Sequence, residues 1–399
     1  MSQLASEDYT AWCDTHLPDL FDPGLFDDEE TTEETMDVVQ QQFQETVLDL
    51  MDVEDTTAEE REAMTDAALE AAEAWFKAQK AAIIASIEPL PAPLLKQITT
   101  REQVAQHSAD WYAQRRNRLT ASEFAQILDG RRGALLRQKI APASEAADSY
   151  GSTVALAQED GAMTPFSWGH RFEPIVRAIY EQEIAGPTSV NDSLGRFSHR
   201  SIPYLSASPD GIVMTGALAG RLLEIKAPKS RQPGSFVPYE YYVQMQIQME
   251  VTDLEAVDFI EAKFQQRHVG SLSPEDEVAL ANAAWKGRIQ VVTSKDGVLR
   301  YIYSAPAEDL EDATLKAPQD GEDLIEDTIW WLVALYPRTV LRNPEWWSST
   351  GQPAAATFWA DVEKGRDAAI SSPDVIQHVP SSPKWAGRTV YIPFNSEPL

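Results

Sequence analysis

Ser208-Pro209-Asp210-Gly211-Ile212-Val213-Met214-Thr215, then Gly216-Ala217-Leu218-Ala219-Gly220, then Arg221-Leu222-Leu223-Glu224-Ile225-Lys226 reads as two short apolar runs around a glycine-bounded turn. That is a β-hairpin signal. Asp210 follows a proline and precedes a glycine, so it sits where the first strand begins. In the second strand Glu224 and Lys226 are two residues apart and point to one face, while Leu223, Ile225 and Ala227 point to the other. Pairing of the two strands brings Asp210 towards Glu224. Two carboxylates about 4 Å apart repel by roughly 4 kcal/mol at an effective dielectric of 20. A hard divalent cation removes that cost, and Mg²⁺ is typically held by one or two carboxylates plus water and substrate phosphate. Such an ion polarises a phosphoryl oxygen and activates a bound water. Lys226 would hold or deprotonate that water and offset charge on phosphorus. A surface hairpin with an ordinary Glu/Lys pair fits the same spacing, so the flanking sequence has to decide.

The chain has 399 residues and a formal net charge of −30, which at first argues against a nucleic-acid enzyme. The charge is unevenly placed. Residues 1–76 contain 23 Asp and Glu against a single basic residue, Arg61. Further on lies a basic stretch with Arg115, Arg116, Arg118, Arg131, Arg132, Arg137 and Lys139, opposed by Glu123 and Asp129. The one cysteine, Cys13, excludes an intrachain disulfide and a cysteine zinc site, and suits a reducing compartment. The first residues lack the basic and apolar regions of a signal peptide, and no apolar run is long enough to span a bilayer. The six histidines show no paired spacing. There is no G-x-S-x-G, no Walker loop and no dinucleotide fingerprint.

Residues 1–30 read as a loose acidic tail. Thr31-x-x-Glu34 and Thr57-x-x-Glu60 are capping boxes for two helices, the second running to about Ser86. Residues 1–87 thus form an acidic helical appendage, partly disordered, and 88–100 a Pro-containing linker. Arg101 to Tyr112 reads as a helix leading into Arg115-Arg116-Asn117-Arg118. Thr120 or Ser122 caps the next, Glu123 to about Leu128; a helix N-terminus beside arginines and hydroxyls suits a phosphate. Residues 130–166 read as a loop with one short helix. Trp168-Gly-His-Arg-Phe-Glu173 opens a helix ending near Ala185, with Glu173 in its first turns. Phe197–Leu205 reads as a strand, Val237–Glu250 as a helix bearing Gln244, Gln246 and Gln248, and Leu254–Phe264 as a central strand. Strands follow at Arg288–Thr293 and Val298–Ser304, then an aromatic-rich helix over Asp323–Tyr336. Trp346, Trp347, Phe358 and Trp359 mark a last helical piece packed on the core, and the tail after 371 reads as irregular. Residues 101–305 are thereby the core, 306–370 a helical C-terminal extension and 371–399 the irregular tail.

Arg115 with Leu119-Thr-Ala-Ser122, Trp168-Gly-x-x-x-Glu173, Ser208-Pro-Asp-Gly211, Leu223-Glu-Ile-Lys226 and Gln244-Met-Gln-x-x-Met249 resemble, in order and spacing, the phage lambda exonuclease and YqaJ-type viral recombinase family of the PD-(D/E)xK nuclease superfamily. The resemblance covers roughly 105–265. It implies an α/β (α+β), restriction-endonuclease-like fold, a mixed β-sheet core flanked by helices. It implies Mg²⁺-dependent hydrolysis of double-stranded DNA from a 5′ end, with Mn²⁺ as a substitute. Asp210, Glu224 and the Ile225 carbonyl would ligate metal, and Glu173 would support a second position. Lys226 would orient the water, with Gln246 beside it. Arg115, Ser122 and Ser208 would hold the 5′ phosphate, with Arg116, Arg118 and Thr120 near. DNA ends are the expected partner. The family's trimer is put in doubt by the appendage and by the insert between Ser122 and Trp168. A protein partner, such as a single-strand annealing protein, would meet the acidic region; charge mimicry of DNA by that region is a sharper idea.

The expectation is a cytoplasmic or nuclear, virus-encoded DNA exonuclease of recombination, replication or repair, with no membrane association. Two alternatives stand. One is a structure-specific or site-specific endonuclease on the same core. The other is a catalytically inactive DNA-binding or scaffold protein, which would have no reason to keep Glu173, Asp210, Glu224 and Lys226 together.

Overall fold

In the computed structural model the residues described are 6–21, 29–48, 57–106, 108–141, 165–234, 237–295 and 299–371. The expectations for most of the 130–166 insert and for the tail after 371 fall outside them. Seven strands form one sheet in the order β10 (Leu299–Tyr303), β9 (Lys286–Thr293), β11 (Asp323–Leu341), β8 (Ala256–His268), β7 (Leu222–Lys226), β6 (Gly211–Val213), β3 (Val190–Asn191). The pairing of β7 with β8 is parallel, and all other pairs in this sheet are antiparallel. A parallel neighbour requires a crossover, here the helix Tyr239–Thr252. A smaller sheet has the order β1 (Gln103–Val104), β4 (Arg196–Ser198), β5 (Leu205–Ala207), β2 (Leu119–Thr120). The architecture is the expected mixed sheet flanked by helices.

The hairpin forms in the expected register, with Gly211 opposite Leu223. Period-two alternation then sorts β7 onto two layers. Leu223, Ile225 and Ala227 join Phe172, Val176 and Ile179 of the helix Pro165–Tyr180, together with Ile260 and Phe264 of β8. Leu222 packs on the opposite layer with Val257, Phe259 and the 239–252 helix residues Val243 and Ile247. Glu224 and Lys226 share this second side. Burying a Phe or Val side chain contributes roughly 1.5–3 kcal/mol, so several such residues on each face pin the strand and a one-residue slip is excluded.

Several expectations are corrected. The 1–30 stretch is not simply a loose tail, because Ser6–His16 is helical. Tyr9, Trp12 and Cys13 fall on one helical stripe and bury against Phe43 and Phe76 of the helices Glu29–Thr46 and Ala58–Ser86, which outweighs the acidic composition. Within 88–100, Ala92–Thr99 is helical; Pro93 lies in its first turn, where a missing N–H costs nothing. In the 101–112 segment helix begins only at Ala109, running on to Arg115, and is preceded by β1. Phe197–Leu205 is part of a hairpin, β4 and β5, rather than one strand.

The largest correction is Asp323–Tyr336, which is strand β11 rather than a helix. Trp330, Leu332 and Leu335 face one apolar cluster and Ile329 and Trp331 another. A strand covered on both faces is apolar without alternation, and a short apolar run of that kind does not distinguish strand from helix. The last helical piece is as expected: Gln352–Ser371 is a helix with Phe358 fully buried. Among the described residues no helix is long and apolar enough to cross a membrane.

Candidate active site

Strand β7 ends at a cavity of about 570 Å³ whose wall includes Arg115, Thr120, Ser122, Glu173, Ser208, Asp210, Ile225, Lys226 and Gln244. Residues from five separated segments therefore meet at one place. Asp210 is fastened at the start of β6: its N–H donates to the Leu223 carbonyl at 3.1 Å, and its Oδ2 accepts from the Ile225 N–H at 2.8 Å. Burial raises the Asp210 carboxyl well above the usual carboxylate range, and the charges of Glu224 and Glu173 push it further. Burial likewise raises Glu173, opposed by Arg177 and reinforced by Glu224.

Glu224 is fully buried and does not itself line the cavity. It pairs with Lys226, and its two oxygens accept from Gln244 Nε2 at 2.7 Å and Gln248 Nε2 at 2.6 Å. Three donors thus occupy a carboxylate that offers about four lone-pair directions. Burial opposes the Lys226 charge, but Glu224 and Asp210 outweigh it and raise its pKa. Lys226 is accordingly an ammonium at neutral pH, suited to orienting water and offsetting negative charge rather than to accepting a proton.

The donor set suits a divalent cation. Among the described residues no group of three or more His, Cys, Asp and Glu side chains makes a ready metal cage. Mg²⁺ does not need one, since it is usually held by one or two carboxylates with water and substrate phosphate completing its shell. Crowded carboxylates with a raised Asp210 are the electrostatic condition that a cation relieves.

Gln246, expected beside the water, is elsewhere. Its Nε2 donates to the Leu341 carbonyl and its Oε1 accepts from the Asn343 N–H, both at 2.8 Å. At about 100° per residue, positions 244 and 248 share a helix face and 246 points away. Gln244 and Gln248 are therefore the glutamines that donate to Glu224, and their four-residue spacing is the sequence signal that marks them.

The phosphate candidates divide in a similar way. Arg115, Thr120, Ser122 and Ser208 reach the cavity, whereas Arg116 and Arg118 do not line it. Arg116 donates to the carbonyls of Ala141 at 2.5 Å and Ile140 at 3.3 Å, closing the C-terminal end of the helix Arg132–Ile140. Glu123, which in the sequence reads as an opposing charge at the start of a helix, organises this wall. It accepts from Arg115 Nε at 2.9 Å, Lys139 Nζ at 2.8 Å and Thr120 Oγ1 at 2.8 Å. Trp111 completes the wall, with Arg115 and Arg196 over its ring at 5.3 and 5.5 Å.

Burial alone would raise the Glu123 carboxyl, but Lys139 and Arg115 outweigh it and hold it at about 2. A carboxylate depressed from its ordinary value near 4.5 contributes stability above that value and loses it as pH falls towards 2. Glu123→Gln is expected to cost on the order of 3 kcal/mol in urea denaturation at pH 7. The difference from wild type should shrink as pH falls from about 4.5 towards 2. An equal difference at all pH values would show that the ion pairs do not supply it.

Residues 110–255 match the YqaJ-like viral recombinase domain. An uncharacterised protein of Acanthamoeba polyphaga mimivirus is 29% identical over 185 residues, 41% of this chain; the chain spans 30% of that protein's length. Among solved structures, an alkaline exonuclease from Laribacter hongkongensis is 18% identical with a TM-score of 0.35, covering 67% of this chain and 98% of its own. A phage-related exonuclease from Haemophilus somnus is 12% identical with a TM-score of 0.31, covering 64% and 96%. The matched segment holds Arg115, Ser122, Glu173, Ser208, Asp210, Glu224, Lys226 and Gln244, so the candidate site lies within the part of the chain that is similar to the YqaJ-like viral recombinase domain.

Proposed function

We propose that the chain is a divalent-metal-dependent DNA exonuclease that degrades duplex DNA from 5′ ends. One observation carries this reading: Asp210 and Lys226, with Glu224 behind them, line one cavity together with Arg115, Ser122 and Ser208. Asp210, Glu224 and the Ile225 carbonyl would hold the cation, with Glu173 near, and Mg²⁺ with Mn²⁺ as substitute matches these oxygen ligands. A bound ion of this kind supplies Lewis-acid polarisation of the phosphoryl group and a water of lowered pKa.

The chain's own residues do the rest. Arg115 and the Ser122 and Ser208 hydroxyls would take the terminal phosphate and set the register of the end. Glu123 holds the Arg115 guanidinium by its Nε and so fixes it at the cavity wall. Lys226, kept charged by Glu224, would orient the attacking water and offset the charge gathering on the phosphoryl oxygens. Gln244 would hold the Glu224 carboxylate in place from the cavity side and Gln248 from within.

The test incubates the protein with Mg²⁺ and three matched DNAs: linear duplex with 5′-phosphate, linear duplex with 5′-hydroxyl, and closed circle. Loss of the 5′-phosphorylated linear DNA is expected. Nicking of the circle would point to an endonuclease, and cleavage of none to a binding protein. Arg115→Ala should slow the 5′-phosphorylated substrate by ~10–100-fold, the scale of one charge-assisted contact, and spare the 5′-hydroxyl one. Equal loss on both removes the phosphate role.

A further inference from the structure

Strand β8 carries a second Glu-x-Lys, Glu261-Ala262-Lys263, directly beside Glu224-Ile225-Lys226 on β7, with Lys226 opposite Glu261 in the parallel register. This second pair does not line the cavity. It holds the segment that does. Lys263 is 8% exposed, and its Nζ donates to the carbonyls of Lys229 at 2.8 Å, Arg231 at 3.0 Å and Pro228 at 3.3 Å. All three protons of the ammonium have main-chain acceptors. Glu261 is fully buried and pairs with Arg231. Pro228, Lys229, Ser230 and Arg231 form the cavity edge next to Lys226, and the Tyr241 ring lies 4.9 Å from Lys226 Nζ and 5.8 Å from the Arg231 guanidinium.

A buried ammonium that touches no ligand is costly unless it fixes something. Here it draws three carbonyl dipoles inwards, so their negative ends aim at Lys263 rather than at the cavity. Pro228 to Gly234 has neither helix nor strand of its own, so these contacts do the work that a ladder does elsewhere. The resulting edge presents one lysine, one hydroxyl and one arginine with carbonyls turned away, which suits an anionic backbone.

We propose that Glu261 and Lys263 are positioning residues that hold Pro228–Arg231 as a fixed edge for binding a phosphodiester of the DNA strand entering the site. The proposal rests on the nuclease reading and names a strip beyond the metal and terminal-phosphate positions.

The experiment compares wild type, Lys263→Met, Glu261→Gln, Lys229→Ala and Lys229→Ala/Lys263→Met on a 5′-phosphorylated duplex of about 20 base pairs. KM and kcat are read with Mg²⁺, and the salt dependence of binding in EDTA. Lys263 is buried and has no expected phosphate contact, so a merely structural role leaves the salt slope unchanged. Lys263→Met is expected to raise KM by ~10-fold with kcat within about twofold, and to flatten the log Kd against log salt slope by about one ion. In the Lys229→Ala background the same change should add less than about twofold, because the lysine that Lys263 positions is already gone. Glu261→Gln, which keeps a hydrogen bond to Arg231, should shift KM in the same direction by a smaller factor. It also keeps the test open if Lys263→Met does not fold. Unchanged KM and slope, a fall confined to kcat, or equal factors in both backgrounds would overturn the proposal while leaving the nuclease reading intact. A wild type that neither binds nor cuts this DNA would overturn both.

Discussion

Glu224→Ala is expected to lower DNA cleavage by on the order of 10³-fold or more, the scale seen when a main electrostatic element of an active centre is removed. It also loses stability, and that second effect identifies the geometry. Glu224 is the shared acceptor for Lys226, Gln244 and Gln248. Removing one partner of a buried pair costs about 3–5 kcal/mol, because the remaining charge and donors stay desolvated. Urea denaturation should therefore show a clear fall, with DNA binding of the folded fraction retained. Full stability would mean that Glu224 is not the hub of these contacts. Full activity would dismiss the metal-centre reading.

Asp210→Asn should lose cleavage to a similar degree with the opposite effect on stability. Asp210 is raised by burial and by two neighbouring carboxylates. A carboxylate raised in the folded state imposes no cost below its unfolded value of about 3.9. It costs stability as pH rises from there towards the folded value, since the unfolded chain releases the proton first. Asparagine keeps the acceptor for the Ile225 N–H and removes the repulsion, so the metal-free variant should melt at or above wild type at pH 7. A divalent cation should raise the melting temperature of wild type by a few degrees, since 100-fold excess over Kd stabilises by about 2.7 kcal/mol. Asp210→Asn should show little of that rise. An equal rise in both proteins would place the cation elsewhere.

How much of the site is legible in the sequence depends on whether a role is set by local spacing or by what lies opposite. Asp210, Glu224 and Lys226 are readable because hairpin pairing and period-two alternation are local rules. Arg115 and Arg116 look interchangeable in a run of arginines. Glu123 takes one for the cavity wall, and the end of the 132–140 helix takes the other. Among the three glutamines, the 100° step separates 246 from 244 and 248, but only the position of Glu224 tells which face is the working one. Glu123 itself sits in a capping box with Thr120, a sufficient local reason for its presence that conceals the pairing with Arg115 and Lys139.

The fold divides along the same line. Capping residues, glycine-bounded turns and apolar periodicity are enough to locate the hairpin, the 58–86, 165–180 and 239–252 helices and strand β8 from the amino-acid order. They fail at 323–341, where Trp330 and Trp331 bury on opposite sides of a strand covered on both faces, and at 6–16, where three buried side chains outweigh an acidic composition. The sequence by itself determined the hairpin and the convergence of Asp210, Glu224 and Lys226 on it, because each follows from residues within one or two elements. Only the tertiary structure decided which glutamines hold Glu224, that Glu123 anchors the cavity wall, and that Glu261 and Lys263 hold the edge beside Lys226. Those assignments rest on contacts between residues distant in the chain, where the energy of a buried charge depends on partners that no local pattern records.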